Sequence, residues 1–152
     1  MPHTPPGALP RRPLLLALAI TALGLSAHAQ ALRPLSTADA KAVRAVVEAQ
    51  LKAFAADDAA KAFSHAAPAI QQQFGDAPTF MRMVREAYPV VYRPAATAFF
   101  KPEWVDEVVR QVVQMRDAQG ALWLATYQLV KQPDGRWRIA GCVVQPDAGK
   151  GT

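Results

Sequence analysis

The chain has 152 residues, with 17 lysine and arginine residues against 12 acidic residues and a formal net charge of +5. Hydrophobic residues make up 51% of it, which suffices for one ordinary globular core. The basic residues are scattered and form no stripe, so this composition argues against a nucleic-acid partner. Cys142 is the single cysteine, which excludes an intramolecular disulfide, and we expect it to be a small buried hydrophobe.

The first residues have the pattern of a secretory signal peptide. Arg11 and Arg12 precede an uncharged apolar run, residues 14–25, and residues 27–29 read Ala-His-Ala, a small-x-small cleavage pattern. The run is shorter than the roughly 20 residues that a membrane-spanning helix needs. We therefore expect residues 1–29 to be cleaved near Ala29, which would make the mature protein periplasmic or secreted. Removing the two arginines from the 17 basic residues leaves 15 against 12 acidic ones, a net charge of +3.

After a linker, residues 30–35, the sequence predicts helices. Ser36 and Asp39 form a capping pattern, and apolar residues then recur at helical spacing as far as Phe54. Asp57-Asp58 follows at once. A metal or general-base site is one interpretation of this acid pair, whereas the simpler one is that an aspartate caps a second helix, residues 59–66. A third helix is predicted between Pro78 and Pro89.

The segment from Tyr88 to Pro94 is the most unusual linker in the chain. Its prolines favour extended backbone, and its two tyrosines and one arginine could reach into a cleft. The alternative interpretation is that both tyrosines cover the edge of the core and keep their hydroxyls in water.

The remainder of the chain predicts strands. Residues 95–104 form the first, with Pro102 marking a sheet edge or a bulge, and residues 108–116 form the second. Residues 121–145 then form a β-hairpin around the turn Pro133-Asp134-Gly135. Helices before strands predict an α+β domain over residues 36–146, in which the N-terminal helices pack on a curved four-stranded antiparallel meander sheet in a cone-like arrangement. We expect residues 147–152 to be a flexible tail.

Strand alternation assigns the faces of this hairpin, because successive side chains point to opposite sides. In its first strand the alternation groups Trp123, Ala125, Tyr127 and Leu129, and in its second strand it groups Trp137, Ile139, Gly141 and Val143. The opposite faces are neither cleanly polar nor cleanly apolar, so we expect helices, a partner chain or a ligand to cover them.

Several short patterns together resemble one bacterial family. They are Gln50-Leu51-Lys52-Ala53-Phe54, Asp57-Asp58-Ala59-Ala60, Ile70-Gln71 with Phe74-Gly75, Met83-Val84-Arg85 with Tyr88-Pro89, Arg93-Pro94, Asp117-Ala118-Gln119-Gly120, and Trp137-Arg138-Ile139 with Gly141. In this combination the chain resembles the domain of unknown function family numbered 4864. The resemblance implies a fold like nuclear transport factor 2, a cystatin-like α+β cone with an internal cleft, and it implies no activity. Enzymes of that cone-shaped superfamily, such as dehydratases, ketosteroid isomerases and polyketide cyclases, need an Asp, Glu or His inside the cleft.

Three functions are compatible with these patterns. The first is non-catalytic binding of a small molecule, or of an envelope protein, in an aromatic-lined cleft formed by Tyr88, Tyr92, Arg93, Trp123 and Tyr127. The second is a lyase or isomerase with a cleft carboxylate or His65 near Tyr92 or Arg93. The third is a homodimer whose interface includes Arg110, Gln114, Gln128 and Arg138. We expect the first, without catalytic residues, metal or cofactor.

Overall fold

The structure is a computed structural model that describes residues 34–149, so the expected signal peptide lies outside the described residues. Within that range, helices precede strands, which confirms the predicted α+β class. The helices are α1 (Thr37–Ala55), α2 (Ala59–Ser64), α3 (Pro68–Phe74), α4 (Ala77–Ala87) and α5 (Pro89–Tyr92). The strands are β1 (Ala96–Phe99), β2 (Glu103–Val105), β3 (Val108–Arg116), β4 (Leu122–Lys131) and β5 (Trp137–Pro146). No helix in this part of the chain has the length and apolar character required to cross a membrane.

The sheet is antiparallel and open, with the order β1-β3-β4-β5, and β2 also pairs with β3. The prediction of a single strand over residues 95–104 is wrong, because the segment breaks into β1 and β2 at the buried Pro102. Proline has no N–H to give to a strand ladder. The side chain of Gln111 is buried beside this break. Its Nε2 donates a hydrogen bond to the carbonyl of Phe100 at 2.7 Å and another to the carbonyl of Val112 at 3.0 Å. The sheet therefore has five strands instead of four.

A β-bulge in β5 changes which of its side chains face the helices. Ile139 pairs with Leu129, but Gly141 pairs with Gln128, so Ala140 is an extra residue. The alternation shifts by one position, and Cys142 and Val144 pack against the core. The predicted face of β5 is thus correct for Trp137 and Ile139 and wrong for Gly141 and Val143, whereas the predicted face of β4 is correct.

The helices cover the face of the sheet that carries Ala125, Tyr127 and Leu129, each fully buried. The stripe of α1 that contacts this face consists of Val43, Val47, Leu51 and Phe54. At the centre of the helical layer is Phe80 of α4, whose ring centroid lies 5.9 Å from that of Phe54, 5.4 Å from that of Phe63 and 5.6 Å from that of Phe74. This aromatic cluster joins α1, α2, α3 and α4.

Two of the three predicted helix starts are confirmed by the caps that the sequence pattern indicated. The Ser36 hydroxyl accepts a hydrogen bond from the backbone N–H of Asp39 at 3.1 Å, and Asp58 caps α2 by accepting from Lys61 at 3.0 Å. The Asp39 carboxylate also accepts from Nζ of Lys131 and from Nε1 of Trp137, both at 3.1 Å. The Ser36 hydroxyl in turn donates to this carboxylate at 3.0 Å. The bonds from Lys131, Trp137 and Ser36 lower the pKa of Asp39, and the first two tie the start of α1 to the hairpin.

Two connecting segments have features that the sequence patterns did not indicate. The prediction of extended backbone after Tyr88 is wrong, because Pro89 begins the one-turn helix α5, where its missing N–H removes no helical hydrogen bond. The chain between α2 and α3 forms a parallel bridge with the outer edge of β5. There Ile139 donates its N–H to the carbonyl of His65 and accepts from the N–H of Ala67, both at 2.8 Å.

Candidate functional site

A cavity of about 270 Å³, which we call the inner cavity, lies between the helices and strands β4 and β5. Aromatic and aliphatic side chains dominate its wall. The lining residues are Gln50, Phe54, Ala66, Ile70, Gln73, Phe74, Phe80, Met83, Val84, Tyr88, Val91, Tyr127, Ile139, Ala140, Gly141 and Cys142.

The most informative group in the inner cavity is the hydroxyl of Tyr127. The side chain is fully buried, and its oxygen makes no hydrogen bond of normal geometry among the described residues; its polar neighbour is the thiol of Cys142, a weak hydrogen-bonding group. A buried polar group left unpaired costs about 1–3 kcal/mol, so such groups are rare in native proteins. Burial, and then the neighbouring Cys142, raise the pKa of Tyr127 well above its ordinary value. The hydroxyl therefore stays protonated and can donate a hydrogen bond.

Cys142 is the cross-strand partner of Tyr127 and also lines the inner cavity. Burial raises the pKa of its thiol to about 12, against a smaller lowering by Tyr127. Because the thiolate is the reactive form of cysteine, this thiol is a poor nucleophile. Gln50 of α1 is buried and donates from Nε2 to the carbonyl of Ala62 at 3.1 Å. Sequence reasoning missed Gln50, although a glutamine beside the apolar stripe of a long helix is a usable signal.

A second concavity of about 430 Å³, which we call the outer cavity, adjoins the first. Its lining residues are Ala87, Tyr88, Pro89, Val90, Arg93, Asp117, Ala118, Gln119, Trp123 and Val144. Tyr88 lines both cavities and is their shared wall. Asp117 accepts from Nε1 of Trp123 at 2.8 Å and from the backbone N–H groups of Gln119 and Ala121 at 3.0 and 2.9 Å, and these bonds, chiefly that from Trp123, lower its pKa.

Four of the five residues predicted to bind a ligand line these cavities. Tyr127 lies in the inner cavity, Arg93 and Trp123 lie in the outer cavity, and Tyr88 lies between them. Tyr92 lines neither; its hydroxyl donates a hydrogen bond to Asp57 on the protein surface.

Asp57 holds α5 against the junction of α1 and α2. Besides Tyr92, its carboxylate accepts from Nη2 of Arg93 at 2.8 Å and lies 3.8 Å from Nη2 of Arg85. The Tyr92 bond, followed by the charges of Arg93 and Arg85, lowers the pKa of Asp57. The carboxylate side chain is 49% exposed and lines neither cavity. Its backbone has a φ of 54°, a left-handed conformation that aspartate tolerates in turns.

His65, the other residue considered for catalysis, lies at the end of α2, in a surface groove beside the hairpin, and does not line the inner cavity. Burial, followed by the positive charges of Arg138 and Lys61, lowers its pKa. Neutral imidazole is therefore favoured at physiological pH.

Three of the residues predicted to form a dimer interface, Arg110, Gln114 and Gln128, lie on the sheet face away from the helices, and the fourth, Arg138, lies at the sheet edge beside α2. Arg110 and Gln128 are direct cross-strand partners. Arg110 pairs with Glu103, and Gln114 donates to Asp147 at 2.6 Å. Arg138 donates to the carbonyl of Ser64. Three large apolar side chains are exposed on this outer sheet face or at its border: Phe100 (51% exposed), Leu122 (36%) and Val143 (58%).

Comparison with known proteins gives one match. A family model described as Domain of unknown function (DUF4864) matches residues 36–152. No curated protein and no solved structure matches the chain. Across residues 34–149, no three histidine, cysteine or acidic side chains are grouped so that they could hold a metal ion.

Proposed function

Since the chain belongs to the DUF4864 family, whose description assigns no function, we propose from its own geometry that the inner cavity binds a small, largely apolar molecule with one hydrogen-bond acceptor. The observation that carries this proposal is Tyr127, whose side chain lines the cavity and whose fully buried hydroxyl makes no hydrogen bond of normal geometry among the described residues. A ligand oxygen at that position would satisfy a donor that the fold leaves unpaired.

The size and lining of the inner cavity support a small ligand. Pockets for small molecules typically measure about 300–1,000 Å³ and are apolar apart from a few placed polar groups. The 270 Å³ of this cavity lies just below that range, which limits the ligand to a small molecule. Phe54, Phe74 and Phe80 give it rigid aromatic walls, which favour a flat or short-chain molecule.

The chemistry of the lining favours binding over proton transfer. Among the described lining residues, the titratable ones are Tyr88, Tyr127 and Cys142. The pKa of Tyr127 and that of Cys142 are both raised, so neither supplies a base near neutral pH. The carboxylate nearest to Tyr92 belongs to Asp57, which is half exposed and outside the cavity. A lyase or isomerase reaction has no equivalent support.

A matched pair of probes tests the acceptor directly. We expect 2-acetylnaphthalene to bind residues 30–152 about tenfold more tightly than 2-ethylnaphthalene in isothermal titration calorimetry, because only the ketone accepts the Tyr127 hydrogen bond. Tyr127→Phe should abolish this preference and leave the affinity for the hydrocarbon nearly unchanged.

The control is Tyr92→Phe, which removes a tyrosine hydroxyl outside the cavity and should keep the preference for the ketone. An unchanged preference in Tyr127→Phe, or no binding of either probe to the wild-type chain, would refute the proposal.

Two broader expectations remain proposals. Export is supported by the signal-like pattern of residues 1–29, and the intact mass of protein recovered from its own host decides whether that segment is removed. A cone like that of nuclear transport factor 2 is supported by the order of helices and strands and by a cavity between the two layers. A cone-like fold would not by itself assign an activity to the chain, because one fold supports many functions.

A homodimer formed through the outer sheet face is a second candidate. Its support is the exposure of Phe100, Leu122 and Val143 beside charged groups that are already compensated, such as Arg110 by Glu103. Two copies of this face could pack without burying unpaired charge. We expect light scattering to give twice the monomer mass, and Val143→Arg to give the monomer mass. A wild-type monomer at high concentration would contradict the dimer.

A further inference from the structure

The inner and outer cavities are adjacent along the same inner face of β5. Cys142 lines the inner cavity and Val144 the outer one, two residues further along the strand. Helix α5 repeats this division, because Val91 faces the inner cavity and Val90 the outer one. Tyr88 lines both cavities and forms the wall that they share.

The polar groups of the outer cavity favour a ligand that accepts hydrogen bonds. Both carboxylate oxygens of Asp117 are already engaged, by Nε1 of Trp123 and by two backbone N–H groups. The guanidinium of Arg93 has five N–H donors. Asp57 is bonded to Nη2 alone, which leaves several donors of Arg93 for another acceptor. The Trp123 indole N–H is occupied, so this residue offers the outer cavity its apolar ring.

A second arginine lies beside this region. Arg85 also approaches Asp57, with its Nη2 3.8 Å from the carboxylate, so two guanidinium groups share one aspartate. The guanidinium carbons of Arg85 and Arg93 lie 5.3 Å and 4.9 Å from the centroid of the Tyr92 ring. This stacking holds Arg93 beside the outer cavity, where its remaining N–H groups can donate to a ligand carboxylate.

We propose that the two cavities form one site for an elongated monocarboxylate, whose apolar body fills the inner cavity with a neutral oxygen at Tyr127 and whose carboxylate lies at Arg93 in the outer cavity. The inference rests on the proposed function, because the apolar body and its neutral oxygen need the inner cavity. It adds the chemical class of the ligand and assigns Arg93 as the group that selects the charge.

Two probes with the same number of non-hydrogen atoms test the site, decanoate and the neutral ketone 2-undecanone. Their affinities are measured by isothermal titration calorimetry for residues 30–152. In Arg93→Met we expect decanoate to bind about fivefold more weakly, a modest change because the guanidinium is partly solvated. The affinity for 2-undecanone should stay within twofold, because its carbonyl contacts Tyr127 instead.

Two further variants separate direct contact from a structural effect. Asp57→Asn weakens the competing ion pair but keeps Arg93, so decanoate should bind as tightly as in the wild type or more tightly. Arg82→Met removes an exposed arginine of α4 that lines neither cavity and should change neither affinity.

The outcomes separate this inference from the proposed function. Equal weakening of both probes in Arg93→Met, or no weakening of either, overturns the carboxylate site. If 2-undecanone still binds and loses affinity in Tyr127→Phe, the proposed function stands without the carboxylate site. If neither probe binds the wild-type chain, both proposals fall.

Discussion

Phe80→Ala is expected to lower the free energy of unfolding by about 3–5 kcal/mol, the usual range for removing a buried phenylalanine side chain. Phe80 is 6% exposed and contacts the rings of Phe54, Phe63 and Phe74. Its removal deletes these contacts and enlarges the inner cavity, which Phe80 already lines. Urea denaturation followed by circular dichroism measures the loss.

The matched control is Phe100→Ala, because Phe100 is 51% exposed directly after β1. Surface substitutions of this kind change stability by about 0.5 kcal/mol or less. Comparable losses for the two variants would contradict the assignment of Phe80 as the centre of the helical layer.

Tyr127→Phe is expected to raise the free energy of unfolding by about 1 kcal/mol, the opposite sign to most core substitutions. The substitution keeps the aromatic ring and removes a fully buried hydroxyl that lacks a partner in the described chain. In the unfolded chain the substitution removes a hydroxyl that water hydrates. In the folded chain it removes a buried hydroxyl that lacks a partner, so the desolvation cost of folding falls. The midpoint of urea denaturation should therefore move to higher urea at an unchanged m-value.

Tyr92→Phe serves as the control for this sign, because the Tyr92 hydroxyl donates to a carboxylate. We expect it to be neutral or slightly destabilising, since the contact is exposed to solvent. A loss of stability in Tyr127→Phe would show that the hydroxyl is satisfied in the folded protein and would remove the argument for a ligand acceptor. A gain would mean that the chain retains a destabilising group where binding requires it.

The hairpin shows how far sequence patterns determine this fold. The prediction for β4 succeeds because its alternation is unbroken from Trp123 to Leu129. The prediction for β5 fails after Ile139, because the bulge inserts Ala140, a residue with no special backbone preference. Such a bulge is determined by the pairing of two strands, and single-strand alternation contains no information about it.

The first strand and the linker fail for related reasons. The break between β1 and β2 depends on Gln111, which reaches the carbonyl of Phe100 from a neighbouring strand. Proline rules correctly exclude ladder bonding at Pro102, but they do not distinguish an edge strand from two short ones. At Pro89 the same rules allow both extended backbone and the first turn of a helix, and the Asp57 contacts to Tyr92 and Arg93 favour the helix.

The candidate site was only partly accessible from sequence. Tyr127 follows from alternation, because the buried side of a strand is predictable. The division of the other aromatic residues between two cavities is not, because it depends on how α4 and α5 are oriented over the sheet. Ile70, Phe74 and Met83 line the inner cavity only because the short helices leave a gap at their junction, and gaps of this kind have no local signature.

The borders of the sheet bear on how this chain behaves when it is concentrated. One border consists of the two short strands separated by Pro102, and the other is partly occupied where Ile139 bonds the segment between α2 and α3. Both interruptions shorten the row of free amide and carbonyl groups that could template amyloid-like growth. They limit self-association by strand addition when many copies of this chain fold at once.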